Sequence, residues 1–348
     1  MKDIVAELAR RLVEIPSETG KEKEIGDMIA ERLSQRFDIQ KQKVKPKRFN
    51  ILATKGTPNL IFNIHLDTVP GHIPIRIEDN HLWGRGSVDA KGPLAALIIA
   101  AEKASDQGIT DFAIMLDVGE EVDLCGIKKL IPELDDANLI IVCEPTNMKL
   151  RVAQKGTAKI KIKTKGKAAH SAYPHLGIDA NEKLLDALNT IRSLPLGNDK
   201  KLGPTTINVG VLKGGTAANV ISDQAEAFLS IRITPGDEDI VDRIQDALKD
   251  QDGIEIIVIM KYDPYSFDDH KKIDEFKAIL KKEKIPTKVV TRPGFTTMFF
   301  WSKLGPTIVV GPGDESLQHG MDEHINLDQL EMGVRFYLAV MKKYGTTK

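Results

Sequence analysis

The sequence predicts an α/β protein, a mainly parallel sheet interrupted by an inserted two-layer α+β domain. Three observations predict it. Four short apolar runs, LIFNI (60–64), FAIML (112–116), LIIVC (139–143) and TIVVG (307–311), are continuous rather than alternating, as strands buried on both faces of a parallel sheet are. Helical patterns separate the first three runs, which is an α/β layout. From about 155 to 263 the pattern changes: TAKIKIKTKG and EAFLSIRITPG alternate apolar and polar residues, the mark of sheets with one wet face.

The elements follow in order. Residues 2–15 read as a helix stopped near Pro16. PSETGKEKEIGDMIAERLSQRF reads as a second, capped helix with Ser17 or Thr19 near its start. GPLAALIIAAEKASDQG is the clearest helix, with Pro93 in its first turn and Gly108 at its end. In the insert, GIDANEKLLDALNTIRSL and DEDIVDRIQDALKD are helical. A helix-bearing segment and TIVVG then return the chain to the first domain. The expected division is 1–154, an insert over 155–263, and 264–348 rejoining the first part.

Composition bounds the function. The 348 residues suggest about two domains. Lys+Arg 49 against Asp+Glu 50 leaves a formal charge of −1, so no global imbalance points to nucleic acid or an acidic membrane. Two cysteines, Cys125 and Cys143, make no disulfide framework and suit a reducing cytoplasm. MKDIVAELARRLVEIP has an amphipathic period with internal charges, unlike a secretory leader. GPLAALIIAA falls far short of the ~20 residues that span a bilayer. A cytoplasmic protein is expected.

The chemistry lies at the strand ends, where open α/β sheets bind ligands. Just past the four apolar runs lie His65 and Asp67, Glu120 and Glu121, Glu144, and His319 in GPGDESLQHG; Asp89 sits in GRGSVDAKGP immediately before a helix. Any one of these has an ordinary explanation as a solvated or core residue, and His81, His175 and His324 are left at that. Their joint placement on one sheet edge is what random loops rarely supply. Two imidazoles and three carboxylates form the mixed nitrogen and oxygen set that Zn²⁺ accepts. A carboxylate shared by two ions would give a two-metal site with the ions ~3.5–4 Å apart. Asp67, two residues after His65, can reach the second imidazole nitrogen and fix its tautomer. Of Glu120 and Glu121, one can ligate while the other stays free, since neighbours in an extended segment point in different directions. A free carboxylate beside metal-activated water is a general base.

HLDTVPG, GRGSVDAKGPLAA, DVGEEVDLCG, VCEPT, GKAAHSAYPHLGIDA, GGTAANVISD and IRITPG occur in one order along nearly the whole chain. Together they resemble the co-catalytic zinc amidohydrolases of the aminoacylase, acetylornithine deacetylase, succinyl-diaminopimelate desuccinylase and carboxypeptidase G group. The resemblance implies a zinc-peptidase-like catalytic domain (1–154 and 264–348), a dimerisation or lid domain (155–263), and a homodimer. It implies two Zn²⁺ per subunit, with Co²⁺ a possible substitute. Asp89 would bridge them, His65 and Glu144 hold one ion, and Glu121 and His319 the other. Glu120 would be the base and later proton donor, with Asp67 supporting His65 and a cis peptide following Asp89. His170 would stabilise the oxyanion. Asn219 and Arg232 would bind substrate, Arg232 taking a carboxylate bidentately. Many relatives carry Gly-Thr-Ser-Asp after the lid. Here RPGFTTMFFW keeps Gly294 without the aspartate, which leaves side-chain selectivity open.

Within the group, GPGDESLQHGMDEHI and GRGSVDAKGPLAA are most similar to hydrolases of lysine and arginine biosynthesis that release lysine or ornithine from the small acidic carrier protein LysW. Such a substrate implies a basic rim, for which KIKIKTKGK (159–167), Lys200, Lys201 and Lys213 are available. The same lysines equally fit the solvated face of an antiparallel strand. N-acetyl-ornithine or N-acetyl-lysine deacetylation, N-succinyl amino acid hydrolysis and small-peptide cleavage are rivals on the same chemistry. A catalytically silent binding protein of this fold is the rival from another class, and the complete ligand set argues against it. Serine-hydrolase chemistry lacks its G-x-S-x-G stretch, and phosphate-loop chemistry its glycine-lysine motif.

Overall fold

The computed structural model describes residues 1–286 and 288–347 and divides into two compact units. The first comprises Met1–Val152, Phe267–Val290 and Phe300–Lys348. Its sheet runs in the order Asp38–Lys45, Arg48–Lys55, Phe112–Asp117, Leu60–His65, Leu139–Val142, Thr307–Val309 and Leu150–Gln154. The four apolar runs read from the sequence are its centre and pair parallel: His65 lies opposite Asp117, and Asn63 and Val309 both lie opposite Val142. Their carboxyl ends therefore emerge at one edge. Each of these strands is buried along its length, which is why no polar alternation is visible in it.

Helix Lys91–Asp106 is buried on every side from Lys91 to Ala101 because it contacts both the Lys2–Glu14 and Leu327–Tyr344 helices. Its approach to the last helix depends on Gly333, where a Cβ would come within 3.1 Å of the Ala96 Cβ and 2.9 Å of the Pro312 ring. The first helix stops at Glu14 because Ile15 is extended ahead of Pro16.

Two local readings change. The second helix is Lys23–Ser34, with Glu22 rather than Ser17 or Thr19 at its N-terminal boundary and no side-chain cap. Thr19 is engaged elsewhere, as the next subsection shows. The antiparallel hairpin of Asp38–Lys45 and Arg48–Lys55 carried no clear strand signal. Its first strand is an edge, mostly exposed and filled with Lys and Gln, so it lacks an apolar face to read.

The second unit comprises Ala153–Ser266 and Thr291–Phe299, the latter inside the 264–348 segment that the sequence places with the first domain. Lys155 N–H donates to the Arg292 carbonyl at 3.2 Å, tying that segment to it. Its antiparallel sheet runs Thr206–Gly214, Gln224–Ile233, Gly156–Lys165, Ile254–Tyr262. Along Gln224–Ile233, Ala225, Ala227, Leu229, Ile231 and Ile233 are buried while the alternate residues are not, so the period of two read from the sequence is the pleat itself. Helices Ala180–Arg192 and Ile240–Leu248 close the apolar face through Leu184, Leu188, Ile191, Ile240 and Ile244. Burying each such side chain contributes roughly 1.5–3 kcal/mol. Among the described residues, no helix is long and apolar enough to cross a membrane.

Candidate metal centre

The parallel register delivers His65 to the carboxyl edge of the sheet, and the loops after the neighbouring strands bring the other groups to it. The His65 Nε2 atom lies 3.0 Å from Asp89 Oδ1 and 3.6 Å from Glu144 Oε1. The His319 Nε2 atom lies 3.2 Å from Asp89 Oδ2 and 3.0 Å from Glu121 Oε2. Asp89 thus offers one oxygen to each imidazole, and each imidazole has its own glutamate. The Asp89–Ala90 peptide is cis.

These separations fit a cation. Atoms bound 2.0–2.1 Å from one ion at 90–109° lie about 2.9–3.4 Å apart. Ligand atoms of His65, Asp89 and Glu121 all fall within 4.8 Å of one another. The electrostatics agree. Burial, with the Glu144, Glu121 and Asp89 charges, pushes the Glu120 carboxyl well up. Burial and the Asp89 charge push Glu121 up to about 7. Although burial opposes it, contact with His319 and His65 holds Asp89 well below the ordinary carboxylate range. The Asp89 hydrogen bond and the Glu121 charge raise His319 to about 9. A cation among these crowded carboxylates would relieve their mutual repulsion. His65 and Glu144 with one Asp89 oxygen, and His319 and Glu121 with the other, are the two sets that could hold ions.

Glu120 stands apart from its neighbour. Glu121 meets His319, whereas no side-chain hydrogen bond or ion pair joins Glu120 to either imidazole among the described residues. Their loop is held from below. Asp67 Oδ1 accepts the backbone N–H groups of Gly119 and Glu120, each at 3.0 Å, and Oδ2 accepts that of Glu121 at 3.2 Å and the Thr19 hydroxyl at 2.7 Å. Gly119 turns the loop with φ +79, and a Cβ there would strike Arg48, Asp123 and Cys125, each at 2.8 Å. The contact to His65 Nδ1 comes from the Asp67 backbone carbonyl at 2.9 Å, while the carboxylate stands at 3.6 Å. The main-chain carbonyl makes the short contact to the imidazole, with the carboxylate behind it at ion-pair distance. The Asp67 carboxylate also accepts from four other donors.

Thr19 was legible only as a cap candidate. Nothing local distinguishes a hydroxyl that caps from one that crosses to residue 67. A second buried network also escaped the sequence. Trp301 Nε1–H donates to Asn63 Oδ1 at 2.7 Å, and Asn63 Nδ2–H donates to Asp117 Oδ1 at 2.7 Å. The polar Asn63 inside an otherwise apolar run was the available signal.

The remaining predicted residues lie in the second unit. His170 is on the short Ala169–His170 strand, paired with Val220–Ile221. Its Nδ1 accepts the Ala172 N–H at 3.1 Å, which leaves the proton of the neutral ring on Nε2 as a donor. The Ser171 N–H donates to the Asn219 carbonyl at 3.0 Å, so His170 and Asn219 share one ribbon. Arg232 lies opposite Thr157 and Thr206 on the sheet face away from the helices, partly exposed. Gly294 is separate from these, in the Thr291–Phe299 segment, with the Arg292 side chain beside it.

The profile of peptidase family M20/M25/M40 matches residues 61–343. A probable carboxypeptidase of Aspergillus clavatus is 30% identical over 368 residues, covering 96% of this chain and 87% of the fungal one. The crystal structure of a tripeptidase from Staphylococcus aureus superposes with a TM-score of 0.84 at 22% identity, covering 99% of this chain and 98% of that one. A dinuclear metal-binding peptidase of Bacillus subtilis has a TM-score of 0.73 at 14% identity, covering 100% and 99%. With the motifs, the α/β fold and the carboxylate–imidazole centre agreeing with that match, the chain belongs to peptidase family M20/M25/M40 and is a hydrolase of amide bonds.

Proposed function

We propose that the centre holds two divalent ions, most simply Zn²⁺, with Co²⁺ a workable substitute, and that the protein cleaves an amide beside an amino-acid carboxylate. The observation that carries this reading is the Asp89 carboxylate, one oxygen toward His65 and the other toward His319. Bound there, the ions supply Lewis-acid polarisation of the scissile carbonyl and a water of lowered pKa. The chain supplies the rest. Glu120, whose carboxyl burial pushes well up, takes the proton of the attacking water and returns it to the leaving amine. Asp67 keeps Glu120 and Glu121 apart by pinning their backbone. In a homodimer, His170 with its Nε2 proton is the proposed oxyanion donor, and Asn219, Arg232 and Gly294 are the proposed substrate binders.

Two substrate classes remain in competition. Release of lysine or ornithine from a small acidic carrier such as LysW is supported by the phrases GRGSVDAKGPLAA and GPGDESLQHGMDEHI. Short peptides are supported by the carboxypeptidase and tripeptidase names of the relatives, and N-acyl amino acids are a rival on the same chemistry. The second class has one structural observation in its favour. Lys161 pairs with Glu226 at 2.5 Å and Lys163 with Glu255 at 3.8 Å, so part of the supposed basic rim is already neutralised. The test loads the metal-free protein with zinc, counts bound ions, and assays LysW conjugates, N-acetyl and N-succinyl amino acids and di- and tripeptides side by side. Two ions per chain and turnover of small peptides or acyl amino acids are expected. Turnover confined to the carrier conjugates would move the assignment to amino-acid biosynthesis. Metal binding without hydrolysis of anything would leave a silent binding protein.

A further inference from the structure

Three of the loops that carry candidate ligands meet at one buried ion pair that the ligand set does not include. Glu323 is fully buried and Arg85 is 9% exposed. Arg85 Nη1–H donates to Glu323 Oε2 at 2.7 Å. Glu323 Oε1 accepts two consecutive backbone N–H groups, from Val88 at 3.0 Å and Asp89 at 3.1 Å. The Glu323 carbonyl accepts the Gly84 N–H at 3.3 Å. Arg85 Nε–H donates to the Gly71 carbonyl at 3.2 Å, on the loop that follows His65 and Asp67. One pair thus touches the 65–71 loop, the 84–89 loop and the 319–323 loop.

A buried ion pair is weak evidence of stabilisation, because desolvation offsets most of its attraction. Its geometry argues for another purpose. Both oxygens of Glu323 face donors only, so the carboxylate specifies where three backbones sit relative to one another. His319 adds a reason for such a restraint. It has φ 64, a left-handed conformation uncommon for a residue other than glycine. It is also about half exposed, with a side-chain exposure of 53%, so packing alone does not fix it.

We propose that Glu323, with Arg85, is a positioning device that sets the spacing between Asp89 and His319 and so the affinity of the centre for its second ion. The proposal rests on the two-ion reading above. Groups that support ligands from behind commonly alter metal affinity ten- to a hundredfold when changed. Glu323→Gln tests it sharply. The amide has nearly the shape of the acid, but its nitrogen must face either Arg85 or the paired backbone N–H groups, donor against donor.

The experiment titrates metal-free wild type, Glu323→Gln, Arg85→Lys and Glu102→Gln with Zn²⁺ against a chromophoric chelator, and records thermal melts of each without metal. Glu102 makes an arginine–carboxylate pair of its own with Arg32, away from the centre, through two bonds at 2.7 and 2.9 Å. Glu323→Gln is expected to weaken one Zn²⁺ step by about ten- to a hundredfold. Arg85→Lys, which keeps the charge but loses the fork, should weaken it several-fold and serves if Glu323→Gln does not fold. Glu102→Gln should bind as wild type does. Wild-type affinity in folded Glu323→Gln or Arg85→Lys, with only a lowered melting point, would overturn the positioning role. Failure of the wild type itself to take up Zn²⁺ would overturn the reading of the centre, and this proposal with it.

Discussion

Glu120 donates its backbone N–H to the Asp67 carboxylate across 3.0 Å, although the two residues are 53 positions apart. The proposed base is therefore placed by a buried carboxylate. Asp67→Asn removes half of the acceptor capacity that four donors share. Hydrogen bonds to a charged group are worth roughly 1.5–3 kcal/mol each. The expected outcome is a ten- to hundredfold loss in kcat with a smaller change in KM. Thr19→Val, which deletes one donor of the four, should show the same signature more weakly. Steady-state kinetics on the variants check both; an unchanged kcat in Asp67→Asn would remove the loop-pinning role.

Glu120→Gln keeps the shape of the proposed base and removes its proton affinity. General acid–base catalysis typically contributes about 10²–10⁴-fold. A loss of that order in kcat is expected, with metal content unchanged by elemental analysis. An active variant would pass the role to another group, and a metal-depleted one would make Glu120 a ligand.

Asp117 gives a pH test that is independent of catalysis. Burial pushes its carboxyl up to about 7, with Asn63 Nδ2–H as a partial offset. An unfolded aspartate titrates near about 3.9. Below about pH 4 both states hold the proton. Between about 4 and 7 the native state holds a proton that the unfolded chain has lost, so the contribution to stability falls as pH rises and is gone above about 7. In metal-free protein, Asp117→Asn should therefore gain on wild type between pH 5 and pH 8, by on the order of 2 kcal/mol. Denaturant melts at the two pH values measure it, and equal differences at both would refute the raised carboxyl.

Chelation should lower the melting temperature. The clustered Asp89, Glu120, Glu121 and Glu144 repel one another without cations. Ligand present at about 100 times its Kd adds about 2.7 kcal/mol to the native state. Thermal melts with EDTA and with added Zn²⁺ check this, and coincident melts would speak against a site.

Thiol chemistry probes the core. Cys143 is fully buried, and burial pushes its thiol far up. Cys125 is partly exposed and shifted the same way by burial and by Asp123. A thiol reagent at pH 8 should titrate at most one cysteine in the native protein and both after denaturation. Two fast native thiols would contradict the packing around Cys143.

What the sequence by itself determined is whatever short-range chemistry encodes. Continuous apolar runs marked the four parallel strands, because burial on both faces leaves no room for polar alternation. Period-two alternation marked Gln224–Ile233, because one face of that sheet meets water. Strand-end placement drew His65, Asp67, Glu120, Glu121, Glu144 and His319 to one sheet edge, with Asp89 before a helix, since parallel strands release their loops at one edge; the division of these into ligands, base and support came from the family resemblance. Only the tertiary structure decided what depends on atoms far apart in the chain. It aimed Thr19 at Asp67 instead of at a helix terminus, turned the Asp67 carboxylate toward the 119–121 backbone, and gave His65 its short contact at the Asp67 carbonyl. It joined Glu323 to Arg85 across 238 residues. A side chain's residue type states what it can donate or accept. Which of several partners it meets depends on long-range packing, which no local pattern in the sequence records.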